Sequence, residues 1–344
     1  MKKNLIALAV AATMVPAIAA AEGASVSGFT DISLTADNDM NLFLANAEVD
    51  FRNTVGSVTV GLDVDFALAG NGGNNAGLSG PNDSAAIEQA FFAWGAAENL
   101  TIIAGVINNP IGLEGQDATD INTVSFGQIK GILDDQTALY GNNIAGLAVA
   151  YDAGIATVTL ALLNDIRHTN LESNSIALVV NSSPVEGLNL ELGYVTQDDK
   201  DADGNSTEDL TGSPDMLSDV TNVGSAGNVL DINATYAIAG ATVGLEILTA
   251  DNVVDQAIGL HVDYQINDQI GVNLRYDTVS YGETAAGVDL SGIDDTTSTT
   301  LAFSYKVADN LSVYAEYKTK DDIVMATGKA QDDDVAALGF IATF

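Results

Sequence analysis

Residues 57–67 read SVTVGLDVDFA, and apolar and polar side chains alternate along this stretch one by one. The apolar positions are Val58, Val60, Leu62, Val64 and Phe66. Successive side chains of a β-strand point to opposite faces, so the stretch predicts a strand with one apolar and one polar face.

The same alternation recurs from residue 24 to the last residue. We predict sixteen strands, near 24–35, 40–52, 57–67, 86–95, 99–107, 144–151, 155–163, 174–181, 188–195, 228–237, 241–249, 257–265, 269–280, 296–306, 310–318 and 333–344. A soluble β-sandwich would show the same alternation, so the strand pattern alone does not identify the class of fold.

The lengths of the links between the predicted strands test whether the fold is a soluble sandwich. Links after even-numbered strands are short, such as 53–56 and 266–268, whereas links after odd-numbered strands are mostly long, such as 108–143 and 196–227. A chain that meanders through a membrane has short periplasmic turns and long extracellular loops. We therefore predict an all-β fold, a transmembrane antiparallel up-and-down β-barrel of about 16 strands.

The first 21 residues have the pattern of a secretory signal. Lys2 and Lys3 precede an apolar run over 5–18, which ends in the small residues 19–21. That order of charged, apolar and small-residue regions predicts a cleaved signal peptide at 1–21 and a mature barrel at 22–344.

The composition narrows the classes of function. The chain contains 47 acidic against 11 basic residues, a formal net charge of −36, and no cysteine. Nucleic acid is excluded as a partner because phosphate binding needs a basic surface. Disulfides and thiolate catalysis are also excluded, and the negative field favours cations.

The aromatic residues and the C-terminus carry a family resemblance. Tyrosines recur near strand ends on the apolar faces, as aromatic belts do at membrane interfaces: Tyr151, Tyr194, Tyr236, Tyr264, Tyr276, Tyr305 and Tyr317. The chain ends with apolar residues at alternate positions, and the last of them is Phe344. Signal, strands, loop parity and terminal phenylalanine together make residues 22–344 resemble the Gram-negative porins.

The resemblance implies an outer-membrane barrel of a Gram-negative bacterium, in contact with lipid and lipopolysaccharide, through which small hydrophilic solutes diffuse passively. It also implies that Phe344 is a signal for the barrel-assembly machinery, and it raises a homotrimer as an alternative to a single barrel. The chain departs from the best-known general porins at 109–114, which reads NPIGLE, and in offering essentially two wall arginines, Arg52 and Arg275.

We predict a water-filled, cation-preferring channel, because the polar faces are rich in carboxylates and rings of one charge select counter-ions. The long link 108–143 is expected either to fold inward as a constriction or to lie on the surface. The alternative function is a plugged structural or adhesive barrel without channel activity. The residues predicted to line the pore or its constriction are Glu48, Asp50, Arg52, Asp63, Asp65, Glu114, Asp117, Asp120, Lys130, Arg275, Asp277 and Glu316.

The link 196–227, an acidic extracellular loop in this scheme, contains one metal-like spacing. Asp199, Asp201 and Asp203 followed by glycine match the first half of an EF-hand calcium loop, but Leu210 stands where the bidentate glutamate should be. Two interpretations stay open, a calcium site and a solvated acidic loop, and no other cofactor is expected.

Catalysis is not expected. The chain has only two histidines, His168 and His261, and no serine spacing near them indicates a nucleophile and its base.

Overall fold

The computed structural model describes residues 23–36, 41–68, 86–115, 117–136, 143–164, 174–196, 227–283, 289–324, 329–332 and 334–344. The predicted signal segment and the predicted calcium ligands Asp199, Asp201 and Asp203 lie outside these residues.

The described residues form seventeen strands and one helix. The strands are Gly23–Ala36 (β1), Asn41–Val55 (β2), Val58–Leu68 (β3), Ala86–Ala97 (β4), Leu100–Asn108 (β5), Asn143–Asp152 (β6), Thr157–Asn164 (β7), Asn174–Val185 (β8), Leu188–Val195 (β9), Val229–Ile238 (β10), Ala241–Ala250 (β11), Val254–Gln265 (β12), Ile270–Tyr281 (β13), Thr296–Ala308 (β14), Leu311–Val324 (β15), Lys329–Asp332 (β16) and Val335–Thr343 (β17). The helix, α1, is Gln128–Gln136. Within the described ranges, no helix is long and apolar enough to cross a membrane.

Sixteen of the strands close into a barrel. From β1 to β15 each strand pairs antiparallel with the next, β17 pairs with β15, and β1 pairs with β17 from Phe29↔Thr343 to Ala36↔Ala336. The short strand β16 pairs antiparallel with residues 321–324, the end of β15 that lies beyond its pairing with β14 and β17. The predicted all-β, antiparallel barrel of about 16 strands is confirmed.

Each wall strand presents alternate side chains to the two faces of the barrel, as β7 illustrates. Leu160 and Leu162 are 55% and 51% exposed on the outside, whereas Thr159 and Ala161 are 5% and 2% exposed on the inside. Apolar side chains are thus exposed on the outer face, the reverse of a soluble protein.

The connections at one end of the barrel are uniformly short. Two residues join β2 to β3, β4 to β5, β8 to β9, β10 to β11, and β14 to β15. These are links after even-numbered strands, as the parity of the sequence predicted.

The apolar core lies inside the barrel and not between layers. The inner faces of β5 to β8 are largely apolar, and they pack against apolar residues of the chain between β5 and β6. From the wall, this core takes Ile103, Ile107, Ile144, Ala148, Ala161, Leu163, Ala177 and Val179, and from the chain inside it takes Ile111, Ile129, Ile132 and Leu133. These strands are therefore apolar on both faces, which accounts for the nearly continuous apolar run of β5, LTIIAGVIN.

The closure of the barrel should be sensitive to any side chain added at Gly28 of β1. A Cβ there would lie 2.2 Å from the backbone oxygen of Glu48 and 2.7 Å from the ring of Phe344, whose N–H donates to the Gly28 carbonyl at 3.0 Å. We expect Gly28→Ala to lower the free energy of unfolding by about 1–3 kcal/mol, because backbone atoms must move. Urea unfolding followed by the fluorescence of Trp94 measures it.

Gly292→Ala is the matched control, because a Cβ at Gly292 meets nothing within 4 Å. Equal stabilities of the two variants would contradict the tight closure at Gly28.

Candidate functional site

After β5 the chain turns into the interior of the barrel, and we call residues 109–136 the inner segment; its residue 116 is not described. Asn109 and Pro110 make the turn, where Asn109 Oδ1 accepts a hydrogen bond from the N–H of Ile111 at 3.4 Å. Ile111 then lies directly on β9, since a Cβ at Gly193 would be 2.2 Å from Ile111 Cγ2. The glycine in the wall allows this close approach.

Carboxylates of the wall hold the inner segment by its backbone. Each accepts one or two N–H groups: Glu191 on β9 from Gly112 at 3.3 Å, Glu246 on β11 from Leu113 at 2.7 Å, Asp277 on β13 from Gln128 at 3.3 Å, and Glu316 on β15 from Val124 at 2.6 Å and Ser125 at 3.1 Å. These side-chain oxygens satisfy backbone donors that would otherwise be buried alone. The inner segment is thereby fixed across the wall from β9 to β15.

Arg275 on β13 is the centre of a second set of contacts. Its guanidinium is 1% exposed, pairs with Glu114 of the inner segment, and lies 3.5 Å from Asp277. Both terminal nitrogens donate to the carbonyl of Ser125 at 3.0 Å. A buried charge with this many partners is costly to unpair, so Arg275 holds both halves of the inner segment.

Helix α1 begins where these carboxylates lie. Glu114 accepts the N–H of Gly127 at 2.7 Å, and Asp277 accepts that of Gln128. The first N–H groups of a helix have no partner within it, and the positive end of its dipole favours negative charge. Glu114 and Asp277 therefore hold the N-terminus of α1 and also pair with Arg275.

The other wall arginine, Arg52 on β2, contacts the wall. Its Nη2 donates to Asp63 Oδ2 on β3 at 2.7 Å, and its guanidinium carbon lies 5.3 Å from the ring centroid of Phe91. Its positive charge is thus matched by a neighbouring carboxylate.

A cavity of about 520 Å³ remains beside the inner segment, along β1 to β4 and β17. Five acids line it: Asp31, Glu48, Asp65, Glu88 and Asp117. A second cavity of about 400 Å³ lies by the short turns of β10 to β13 and is lined by Asn122, next in sequence to Ile121 of the larger cavity. The inner segment therefore lies between the two spaces.

Carboxylates in and beside the larger cavity are close enough to share one cation. Oxygen atoms of Glu48, Glu88 and Asp117 lie within 4.8 Å of one another, and so do those of Glu48, Asp50 and Asp63. Oxygen ligands of this kind suit hard cations.

The carboxyl group of Asp117 is a weaker acid than an ordinary aspartate. Burial first, and then the negative charges of nearby acids, raise the pKa of Asp117 to about 8. The acids concerned are Glu88, Asp120, Asp50 and Asp63. Burial and the charge of Asp50 also raise the pKa of Asp120.

All but one of the residues predicted to line a pore fall into two groups. One group lies in or beside the larger cavity: Glu48, Asp50, Arg52, Asp63, Asp65, Asp117 and Asp120. The other group, Glu114, Arg275, Asp277 and Glu316, holds the inner segment. Lys130 of α1 is buried, with its Nζ 5.4 Å from the ring centroid of Phe126.

Sequence reasoning missed some contributors. Alternation puts Glu88, Glu191 and Glu246 on polar faces but does not show that they line the cavity or hold the segment. The helix went unpredicted, although Ile129, Ile132 and Leu133 have helical spacing. The apolar residues that line the cavity gave no signal of their own.

Comparison with known proteins gives a family and a fold. A family model described as Gram-negative porin matches residues 7–344. No curated protein sequence gives a significant match.

Several solved structures share the fold. OprB of Pseudomonas putida has a TM-score of 0.63 at 13% identity, over 94% of this chain and 94% of that chain. The outer membrane channel DcaP of Acinetobacter baumannii has a TM-score of 0.62 at 12% identity, over 93% of this chain and 97% of that one. A variant of the Rh. blastica porin has a TM-score of 0.56 at 14% identity, over 94% of this chain and 100% of that one. At such identities the likeness shows the fold alone.

The contacts of Arg275 predict how firmly the inner segment is held. Arg275→Leu leaves Glu114 and Asp277 buried without their cation, a loss of about 3–5 kcal/mol for a broken buried pair. We expect the backbone amides of residues 109–136 to exchange hydrogen faster, as measured by mass spectrometry of peptides from the folded barrel.

Arg52→Leu serves as the control, because its described partners belong to the wall. Unchanged exchange in Arg275→Leu would show that the segment is held without the arginine.

Proposed function

This chain belongs to the Gram-negative porin family, a family of outer-membrane channels, and we propose that its lumen passes small hydrophilic solutes with a preference for cations. Proteins of this family and fold are typically non-enzymatic channels, which agrees with the absence of a predicted catalytic site.

The lining of the larger cavity carries the proposal. Five of its side chains are acids, and no lysine or arginine is among the described residues that line it. Carboxylates of one sign in a confined wall attract counter-ions and repel anions.

The engagement of the arginines supports the same proposal. Arg52 is paired with Asp63, and Arg275 is paired with Glu114 and Asp277. Arginines that are paired with carboxylates in this way contribute little positive potential to the passage. The acids of β1 to β4 therefore determine the sign of its electrostatic potential.

We extend the proposal to the surroundings of the barrel. The exposed apolar outer face suits lipid and lipopolysaccharide, or a second and third copy in a homotrimer. Phe344, which closes the last strand on Gly28, would be the residue that the assembly machinery recognises after cleavage of 1–21. Calcium at Asp199, Asp201 and Asp203 stays a prediction.

The test is a reversal potential in a planar bilayer under a KCl gradient. We expect potassium to be preferred over chloride. At pH 9, where Asp117 is charged, we expect the triple variant Glu48→Gln, Glu88→Gln and Asp117→Asn to lower that preference. Each unit charge about 4 Å from an ion in water changes the energy of that ion by about 1 kcal/mol. This corresponds to a roughly fivefold change in how strongly the ion partitions into the passage.

Asp268→Asn, an exposed acid on the turn between β12 and β13, controls for net charge and should leave the preference unchanged. Chloride preference in the unmodified barrel would refute the proposal. A barrel without any conductance would support the alternative, a plugged structural scaffold.

The pKa of Asp117 predicts a pH dependence. A carboxyl is neutral below its pKa and charged above it, so a pKa of about 8 leaves Asp117 mostly neutral at neutral pH. The preference for potassium should therefore rise between about pH 7 and pH 9. Asp117→Asn should make this rise smaller, and a rise as large as that of the unmodified barrel would assign it to another group.

A further inference from the structure

The two sides of the larger cavity differ in chemistry. The acidic side consists of Glu48, Asp65 and Glu88 on β2 to β4, with Asp117 of the inner segment within reach of them. The other side includes apolar side chains from later in the segment and from β17, with Ser125 among them: Ile121, Val124, Phe126, Val335 and Ala337. Asp31, Ser33 and Thr35 of β1 lie between the two sides, because β1 pairs with both β2 and β17.

Contacts of the inner segment explain this division. Asp117 lies by β2 and β4, where its carboxylate approaches those of Glu48 and Glu88. Val124 lies by β15 and β17, bonded through its N–H to Glu316 and so near Gly339 that a Cβ there would be 3.1 Å away. The segment thus crosses the cavity from the acidic side to the apolar side.

An apolar side has a cost in a channel that passes only hydrated inorganic ions. Apolar surface in contact with water is unfavourable in proportion to its area, and a solute that covers it recovers that free energy. A cavity of about 520 Å³ has the size of a small-molecule site, with apolar walls and a few polar groups that orient the solute.

One acid of the cavity lacks part of its hydrogen bonding. Glu88 Oε1 accepts from Asn143 Nδ2 at 3.0 Å, whereas Oε2 is buried and has no donor among the described residues. Buried polar atoms in proteins are nearly always paired, so this oxygen can accept a donor from the lumen, either a water molecule or the N–H of a solute.

We propose that the preferred solutes are small organic cations with one ammonium group and one apolar group, such as aryl- or alkylammonium ions. The ammonium is directed to the acids of β2 to β4, and the apolar group covers Val124, Phe126 and Val335. This inference rests on the proposed cation preference and adds the class of solute.

The experiment compares two primary ammonium ions that differ in their apolar part, phenethylammonium and ethanolammonium. Each is titrated against the potassium current of the intact barrel in a planar bilayer. We expect phenethylammonium to reduce the current at a roughly tenfold lower concentration, because partial burial of an aromatic ring is worth about that factor.

Variants locate the effect. Val124→Thr with Val335→Thr keeps the shape and β-branching of the apolar side but adds hydroxyl groups, and should bring the two half-blocking concentrations together. Val60→Thr makes the same change on the outer face and should leave their ratio as it is.

The outcomes separate this inference from the proposed function. Preference for potassium over chloride with equal block by both ammonium ions would overturn the inference and leave the proposed function standing. Chloride preference would overturn the proposed function itself. A tenfold ratio that survives Val124→Thr with Val335→Thr would overturn the assignment to this side of the cavity.

Discussion

The hydrogen bonds between the first strand and the last one determine the rest of the structure. Eight residue pairs join β1 to β17, and with them the sheet loses both of its edges. Because all wall strands then pair on both sides, the outer face can be apolar without exposing unpaired backbone groups. The closed wall also creates an interior, which the chain must either fill or leave to water.

This chain does both, in different parts of the interior. The inner segment lies against the wall from β5 to β15, where apolar packing, wall carboxylates and Arg275 hold it. The space beside β1 to β4 is left as the larger cavity, with the acids that the wall presents there. Acids of the same kind thus have two surroundings, since those near the segment accept its backbone N–H groups and those of the cavity face open space inside the barrel.

Much of the wall was predictable from sequence, because alternation and loop parity follow directly from a strand with two unlike faces. The inner segment was harder. The continuous apolar runs of β5 and β6 are typical of strands buried on both faces, but the sequence does not say that the second cover is a part of the same chain. The division of the acids was also out of reach. Alternation puts Glu48 and Glu246 on the same kind of face, but Glu246 accepts a backbone N–H of the inner segment, whereas Glu48 faces the carboxylate of Asp117. That difference depends on contacts between residues far apart in sequence.

The anchoring of the inner segment has a consequence for the order of folding. The N–H of Val124 is bonded to Glu316, 192 residues later, and Glu114 pairs with Arg275, 161 residues later. Contacts at such separations form late, because the intervening chain must be ordered first. The segment is made early in synthesis but can reach its final position only when the wall is nearly complete. Until then, the strands that are apolar on both faces lack the segment that covers their inner face. The pairing of the last strands therefore also determines when the interior takes its final form.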